Sequence, residues 1–316
     1  MTRPKLDILL TGASGFLGPY VATALATAGH HVRVATRRHE GIALSGDVAR
    51  VGEFNATTDW RAALSGIGAV VHLAGLAHRN ATYQSEACAL YHETNVAATL
   101  TLARAAAEAG VHHIIFASSI AVNGSSTTGN SIFREDDIPA PKTVYGMTKS
   151  LAEIGLSEIS AQTGMAVTAI RPPMIYGNGA KGSFGMLSRA IHHRLPLPFA
   201  SVRNIRAFVA AENVADFVSF ILSRAASGFS AVIVADDEQV STAEFSRRIG
   251  LAMSRPAVLL PVPEQLLLTG MRALGTTGLI ESVIGSLRVD AGKARNMGWK
   301  PALTMNDALQ RAVARA

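Results

Sequence analysis

Leu6-Asp7-Ile8-Leu9-Leu10-Thr11-Gly12-Ala13-Ser14-Gly15-Phe16-Leu17-Gly18-Pro19 is the stretch whose reading decides the fold. A short apolar run is followed at once by Gly12, Gly15 and Gly18 in a G-x-x-G-x-x-G spacing. The run reads as a buried strand, and Pro19 suits the first turn of a helix, where its missing N–H is least costly. Glycines between a strand and a helix let the backbone turn sharply and approach a pyrophosphate. The helix N-terminus then directs its N–H groups at the anion. Gly12, Ser14, Gly15, Phe16, Leu17 and Gly18 therefore form a candidate phosphate cradle.

The alternation continues downstream. Strands are expected at Leu6–Leu10, His31–Ala35, Ala69–Leu73, His113–Ala117 and Ala166–Arg171, with helical stretches at Tyr20–Ala28, Thr94–Ala109 and Val144–Thr163. Short apolar strands separated by helices imply βαβ crossovers and a doubly wound parallel sheet, the Rossmann form of the α/β class. After Pro172 the pattern loosens, through Pro172-Pro173, Gly177, Gly179, Gly182, Pro196 and Pro198. The expected division is a nucleotide-binding domain over 1–175, with a return segment around 205–227. The remainder, 176–316, is expected to be a smaller, mixed, mainly substrate-binding domain.

Composition narrows the class. The chain has 316 residues, 48% hydrophobic, enough for a sizeable core and too apolar for wholesale disorder. The net charge is +6, and of 29 basic residues six are lysine. The arginines are scattered singly apart from pairs such as Arg37-Arg38 and Arg247-Arg248, with no basic stripe, so no nucleic-acid partner is expected. No segment reads as membrane-inserting, because the apolar stretch 257–274 is broken by Pro261, Pro263, Glu264, Gln265 and Arg272. The single cysteine, Cys88, fits a reducing compartment, and a cytoplasmic location is expected. The histidine pairs His30-His31, His112-His113 and His192-His193 lack carboxylate or cysteine partners at ligand spacing, so no metal site is expected.

The second strand ends in Thr36-Arg37-Arg38. An NAD site normally carries an acid here to accept from the ribose hydroxyls. Two guanidiniums suit a 2′-phosphate and can stack on adenine, so NADP is favoured slightly over NAD.

Tyr145-Gly146-Met147-Thr148-Lys149 places a phenol and an ammonium four residues apart, on one helix face. Upstream, the strand His113–Ala117 runs into Ser118-Ser119 at its C-terminal end, where ligands bind in such sheets. Hydride transfer at a carbinol carbon needs a matched proton transfer at its oxygen. A phenol, with a pKa of about 10, is a poor base at neutral pH. A nearby ammonium is expected to lower that value toward the working range. Ser119 is expected to hydrogen-bond the substrate oxygen and Lys149 to donate to the cofactor ribose as well.

At these residues the chain resembles the extended short-chain dehydrogenase/reductase family of NAD(P)-dependent sugar-nucleotide epimerases, dehydratases and reductases. The resemblance covers nearly the whole chain. It rests on Thr11–Gly18, His72-Leu73-Ala74-Gly75, Asn95-Val96-Ala97-Ala98-Thr99, Ser118-Ser119, Tyr145–Lys149 and Arg171-Pro172-Pro173-Met174-Ile175-Tyr176-Gly177, in family order. By that resemblance Ser119, Tyr145 and Lys149 are catalytic. Asn95 supports the site, Leu73, Ala74 and Gly75 line the cofactor, and Glu53-Phe54 sits near adenine. Ser118, Pro172 and Met174 are further cofactor contacts. Ile120, Lys181, Gly182, Phe184 and Arg206 are substrate contacts, with Arg206 on a diphosphate.

Two departures bear on the reaction. Dehydratases of the family carry an Asp-Glu pair just after the catalytic hydroxyl residue, where this chain has Ile120 and Ala121, so dehydration is not expected. Ala121-Val122-Asn123-Gly124 also replaces the usual Val-Tyr-Gly ending. The overall pattern is most similar to a bacterial UDP-glucose 4-epimerase-like subgroup that reduces UDP-4-keto-6-deoxy-N-acetylhexosamines for surface polysaccharides. The expected function is thus C4 reduction of a UDP-sugar. The alternatives are a UDP-sugar 4-epimerase with tightly held NAD and a non-enzymatic NADP-sensing protein. The family's long helices, here Ala87–Ala109 and Val144–Thr163, also imply a possible homodimer.

Overall fold

The computed structural model describes residues 5–37, 47–77, 85–273 and 283–314. Strands β1 (Asp7–Thr11), β2 (His31–Thr36), β3 (Asp47–Arg50), β4 (Ala69–His72), β5 (His113–Ala117) and β6 (Ala166–Arg171) pair in parallel. A further strand, Phe229–Ile233, joins beside β6 to complete a sheet of seven among the described residues. The order β3-β2-β1-β4-β5-β6 reverses direction between β1 and β4. That reversal opens a crevice at the C-terminal ends of these two strands, the usual ligand position in such sheets.

The sequence accounts for this arrangement. Every residue of β4 and of β6 is buried, as expected for parallel strands covered on both faces. Leu9, Val70, Ile114, Phe116 and Val167 share a core with Leu102, Ala103 and Ala106 of helix α4 (Ala98–Glu108) and with Ala152, Leu156 and Ile159 of helix α5 (Val144–Thr163). Helix α5 spans the expected residues. Thr143 caps it by accepting from the Gly146 N–H at 3.0 Å, and Gly164 ends it at φ 76°.

Two elements differ from expectation. The exposed strand β3 has too few apolar residues to be read from pattern. It is held by register with β2 and by an Arg33–Asp47 ion pair at 2.6 Å. The expected helix Thr94–Ala109 is a longer assembly: helix α3 (Glu86–His92), a π-turn over Glu93–Ala97, and α4.

The chain divides into two units. The first comprises Met1–Asn123, Ile138–Arg171 and Val214–Val232. The second comprises Gly124–Asp137, Pro172–Asn213 and Ile233–Ala316. The division falls at Arg171, the returning segment starts at Val214, and a short excursion at 124–137 belongs to the second unit. That unit holds a small mixed sheet, with Met174–Tyr176 parallel and Gln239–Val240 antiparallel to Arg206–Ala210. Its core gathers Tyr176, Phe184, Phe208, Phe245, Ile249 and Leu309.

Candidate active site

The glycine turn lies at the C-terminal end of β1, beside the end of β4. Gly12 has φ 76°, and a Cβ there would stand 2.6 Å from the Ala74 nitrogen and 2.7 Å from the Leu73 carbonyl carbon. Both neighbours are backbone, so only glycine fits. Helix α1 (Gly18–Thr27) begins at Gly18, where a Cβ would meet the Ala13 oxygen at 2.3 Å. Ser14 and Gly15 are exposed, as is Gly75 beyond β4, while Phe16, Leu17, Leu73 and Ala74 are half-buried. A Cβ on Gly75 would press on Asn95 Oδ1 at 3.2 Å and Lys149 Nζ at 3.3 Å. The glycines thus keep an open backbone cradle at the crevice, a fit for the diphosphate of a dinucleotide.

A chain of buried polar groups lies behind this cradle. Thr11 Oγ1 accepts from the Ala74 N–H at 3.2 Å and bonds His72 Nδ1 at 2.6 Å. His72 Nε2 meets Thr99 Oγ1 at 3.0 Å, and that hydroxyl donates to the Asn95 carbonyl at 2.8 Å. The Thr99 proton being committed, Nε2 is the donor and Nδ1 the acceptor. Burial holds His72 neutral, with its pKa pushed down to about 3 and the Lys149 charge adding to the effect. Asn95, 1% exposed in the π-turn, accepts from the Leu76 N–H at 2.7 Å. It donates to the Leu76 carbonyl at 3.0 Å and to Thr148 Oγ1 at 3.1 Å. Asn95 thus ties Leu76, the residue after Gly75, to Thr148 of α5. π-Turns are frequent at functional sites.

Ser119, Tyr145 and Lys149 come together as expected. Ser119 caps the short 3-10 turn Ile120–Val122 by accepting from the Ala121 N–H at 3.2 Å, and its hydroxyl is hydrogen-bonded to the Tyr145 phenol. Lys149, 4% exposed, donates to the Ala117 carbonyl at 2.6 Å. Its Nζ lies 4.5 Å from the Phe116 ring centre and 5.9 Å from that of Tyr145. Burial lowers the Lys149 pKa to about 8, against the attraction of Glu153. The expected lowering of the phenol by the ammonium is not what this arrangement gives. Burial dominates and raises Tyr145 to about 12, partly opposed by the Ser119 bond.

Four polar residues beneath the trio were not anticipated as a group. Glu153 and Arg171 form a buried two-pronged ion pair, Nε to Oε1 at 3.0 Å and Nη2 to Oε2 at 2.5 Å. Arg171 Nη1 also donates to Asn123 Oδ1 at 3.1 Å. The Ser118 hydroxyl donates to Glu153 Oε1, so this expected cofactor contact is turned into the protein. The available signal was Glu153 one helical turn after Lys149, and a charged Arg171 ending a strand, Ala166–Arg171, that is otherwise uncharged.

The remaining expected residues are placed as follows. Arg37, exposed, pairs with the Glu53 carboxylate at 3.4 Å. Phe54 packs edge-on against Trp60 with ring centres 5.0 Å apart, as part of the first unit's core. Arg38 lies outside the described residues. Ile120 is 5% exposed. In the second unit, Phe184 is corrected from ligand contact to core residue, 4% exposed and packed on Tyr176 and Phe245. Pro172 is buried and Met174 packs against the same core. Lys181 is exposed and precedes Gly182, the first residue of a helix. Arg206 is 6% exposed, donates to the Gly285 carbonyl at 2.5 Å, and has its pKa lowered by burial to about 10. Among the described residues no helix is long and apolar enough to cross a membrane.

A UDP-glucose 4-epimerase of Vibrio cholerae is 34% identical over 306 residues, covering 96% of this chain and 93% of that protein. An N-acetyl-alpha-D-glucosaminyl-diphospho-ditrans,octacis-undecaprenol 4-epimerase of Escherichia coli O157:H7 is 24% identical over 319 residues, covering 96% and 93%. The crystal structure of UDP-N-acetylglucosamine 4-epimerase from Bacillus cereus shares the fold, with a TM-score of 0.80 at 22% identity over 99% of this chain and all of the other. Residues 8–235 match the NAD dependent epimerase/dehydratase family, and with the glycine turn, the strand-end serine and the Tyr-Lys helix in place the chain belongs to that family.

Proposed function

We propose that the protein carries out NAD-dependent oxidation and reduction at C4 of a UDP-linked hexose, as a UDP-sugar 4-epimerase. The observation that carries this reading is the contact of Ser119 with Tyr145 above the buried Lys149, beside an open glycine cradle. Ile120 and Ala121 cannot move a proton, which leaves dehydration without its acid and base. Tyr145 takes the C4 hydroxyl proton as hydride leaves the carbon and returns it when hydride is restored to the opposite face. Ser119 donates to the same oxygen and stabilises its developing charge. When bound, NAD supplies the hydride acceptor and, oxidised, a positive charge that favours the phenolate. Gly12, Ser14 and Gly15 would hold its diphosphate, and Lys149 a ribose hydroxyl. Arg206 remains charged at neutral pH and suits a substrate diphosphate, with Lys181 and Gly182 as further contacts.

The Vibrio relative and the Arg37–Glu53 pair favour an NAD-retaining epimerase. Thr36-Arg37-Arg38 favours the second reading, a reductase of a UDP-4-keto-6-deoxy-N-acetylhexosamine drawing on NADPH. Exposed Leu90 on α3 and Leu151 and Ile154 on α5 offer an apolar face for a second copy of the chain. The test is to incubate the protein with UDP-glucose and with UDP-N-acetylglucosamine and to follow both products and cofactor absorbance. Interconversion with the galacto form at constant absorbance supports the epimerase. Oxidation of NADPH only with a UDP-4-keto sugar supports the reductase. Conversion undiminished in Tyr145→Phe refutes the assignment of the site.

A further inference from the structure

The C4 chemistry makes no use of the buried Glu153–Arg171 pair, yet each member of its network adjoins a residue of the trio. Ser118, which donates to Glu153, immediately precedes Ser119. Asn123, held by Arg171, follows the 3-10 turn that Ser119 caps. Glu153 lies one helical turn beyond Lys149 on α5. Arg171 ends β6, which pairs with β5 through Ala117↔Ile170, and the Ala117 carbonyl is the acceptor for Lys149. One carboxylate therefore ties together the three segments that carry the site. Such a pair is a weak means of stabilising a fold, because desolvation offsets its attraction.

The charges around Lys149 make the placement more pointed. Tyr145 on its own helix is protonated, Tyr91 of α3 packs against that phenol, and His72 of β4 is neutral. Arg171 of β6 is a cation. Glu153 is the carboxylate among them, and its attraction is what opposes the loss of the Lys149 charge on burial.

We propose that Glu153 is a positioning residue that sets Ser119 in place through Arg171 and Ser118 and keeps the buried Lys149 side chain charged. The proposal rests on the C4 reading above, but its primary readout does not. With six lysines in the chain, the Cε signals of protein grown on labelled lysine can be followed by NMR from pH 6 to 11, Lys149 being assigned by its loss in Lys149→Arg. The wild type is expected to titrate at about 8. Glu153→Gln keeps the shape, removes the charge and leaves Arg171 uncompensated, so its midpoint falls by about one unit or more. Glu153→Asp keeps the charge on a shorter arm, so its midpoint stays near that of the wild type. With UDP-glucose and NAD, the alkaline limb of kcat/KM is expected to move with the midpoint in Glu153→Gln. In Glu153→Asp, kcat falls at unchanged KM. An unmoved midpoint in folded Glu153→Gln overturns the proposal, as does an equal shift in Glu153→Asp. Should Glu153→Gln not fold, unchanged kcat in Glu153→Asp overturns it alone. Undiminished turnover in Tyr145→Phe would remove the C4 reading while leaving the titration result standing.

Discussion

Gly12→Ala tests whether the switch-point backbone is as confined as the geometry says. Two costs add at this position. An alanine at φ 76° sits in the left-handed region, which costs about 1–2 kcal/mol. Its Cβ would also lie 2.6 and 2.7 Å from the backbone of Ala74 and Leu73. Those atoms are backbone, half-buried just past the end of β4 and tied to Thr11 by the Leu73 and Ala74 N–H groups, so they cannot swing aside as a side chain can. Overpacking of this kind costs about 1–3 kcal/mol, so the sum is about 2–5 kcal/mol. Gly110 supplies the reference, with φ 80° and no atom within 4 Å of an added Cβ. Gly110→Ala should therefore show the conformational cost alone, about 1–2 kcal/mol. Urea unfolding followed by circular dichroism gives both values as midpoint shifts at constant slope. NAD titration of the folded variants should weaken for Gly12→Ala and stay unchanged for Gly110→Ala. Equal destabilisation in the two variants would refute the reasoning, since it would mean that Leu73 and Ala74 yield freely.

Other expectations are as specific. Asn95→Ala leaves the half-buried Leu76 N–H and carbonyl without their side-chain partner and should destabilise by about 1–3 kcal/mol in the same assay. Glu53→Gln frees Arg37 from an exposed pair and should raise the affinity for NADPH relative to NADH by about two- to fivefold, measured by calorimetry. Turnover should decline above about pH 8 as Lys149 loses its proton. Because that proton leaves the folded chain at about 8 but the unfolded chain near 10.5, stability from this group should rise with pH between the two values. Ile154→Glu, at a position 52% exposed, should convert a dimer to a monomer in light scattering, and a wild type that is already monomeric would remove the dimer reading.

What was legible in the sequence is what local rules encode. The glycine turn is a backbone requirement written in consecutive residues, and Tyr145 and Lys149 share a face because a helix repeats every 3.6 residues. Strands β4 to β6 were visible as apolar runs because both of their faces are covered. Strand β3 was not, since Asp47 and Arg50 hold an exposed edge by pairing rather than by burial. The π-turn leaves no mark on the hydrophobic period. Glu153 and Arg171 are 18 residues apart and meet only once α5 lies on the sheet. For Phe184 the sequence left a ligand contact and core packing both open, because residue order does not say which way a ring turns, and here the second unit's core takes it.

The departures of Tyr145 and Lys149 have one cause and opposite signs. Burial disfavours whichever form is charged, so it raises an acid that ionises to an anion and lowers a base that protonates to a cation. A bare Tyr-Lys pair cannot escape this by proximity, because the dry pocket that strengthens their attraction also penalises both charges. The site therefore rests with a neutral phenol beside a weakly held ammonium. Making the phenolate takes added positive charge, and keeping the ammonium takes a nearby negative one. In the proposed chemistry oxidised NAD meets the first need and Glu153 the second. That division explains why the carboxylate stands a turn away from Lys149 and not in contact with it. A direct ion pair would consume the positive charge that the phenolate requires, whereas a carboxylate engaged by Arg171 and Ser118 steadies Lys149 without quenching it.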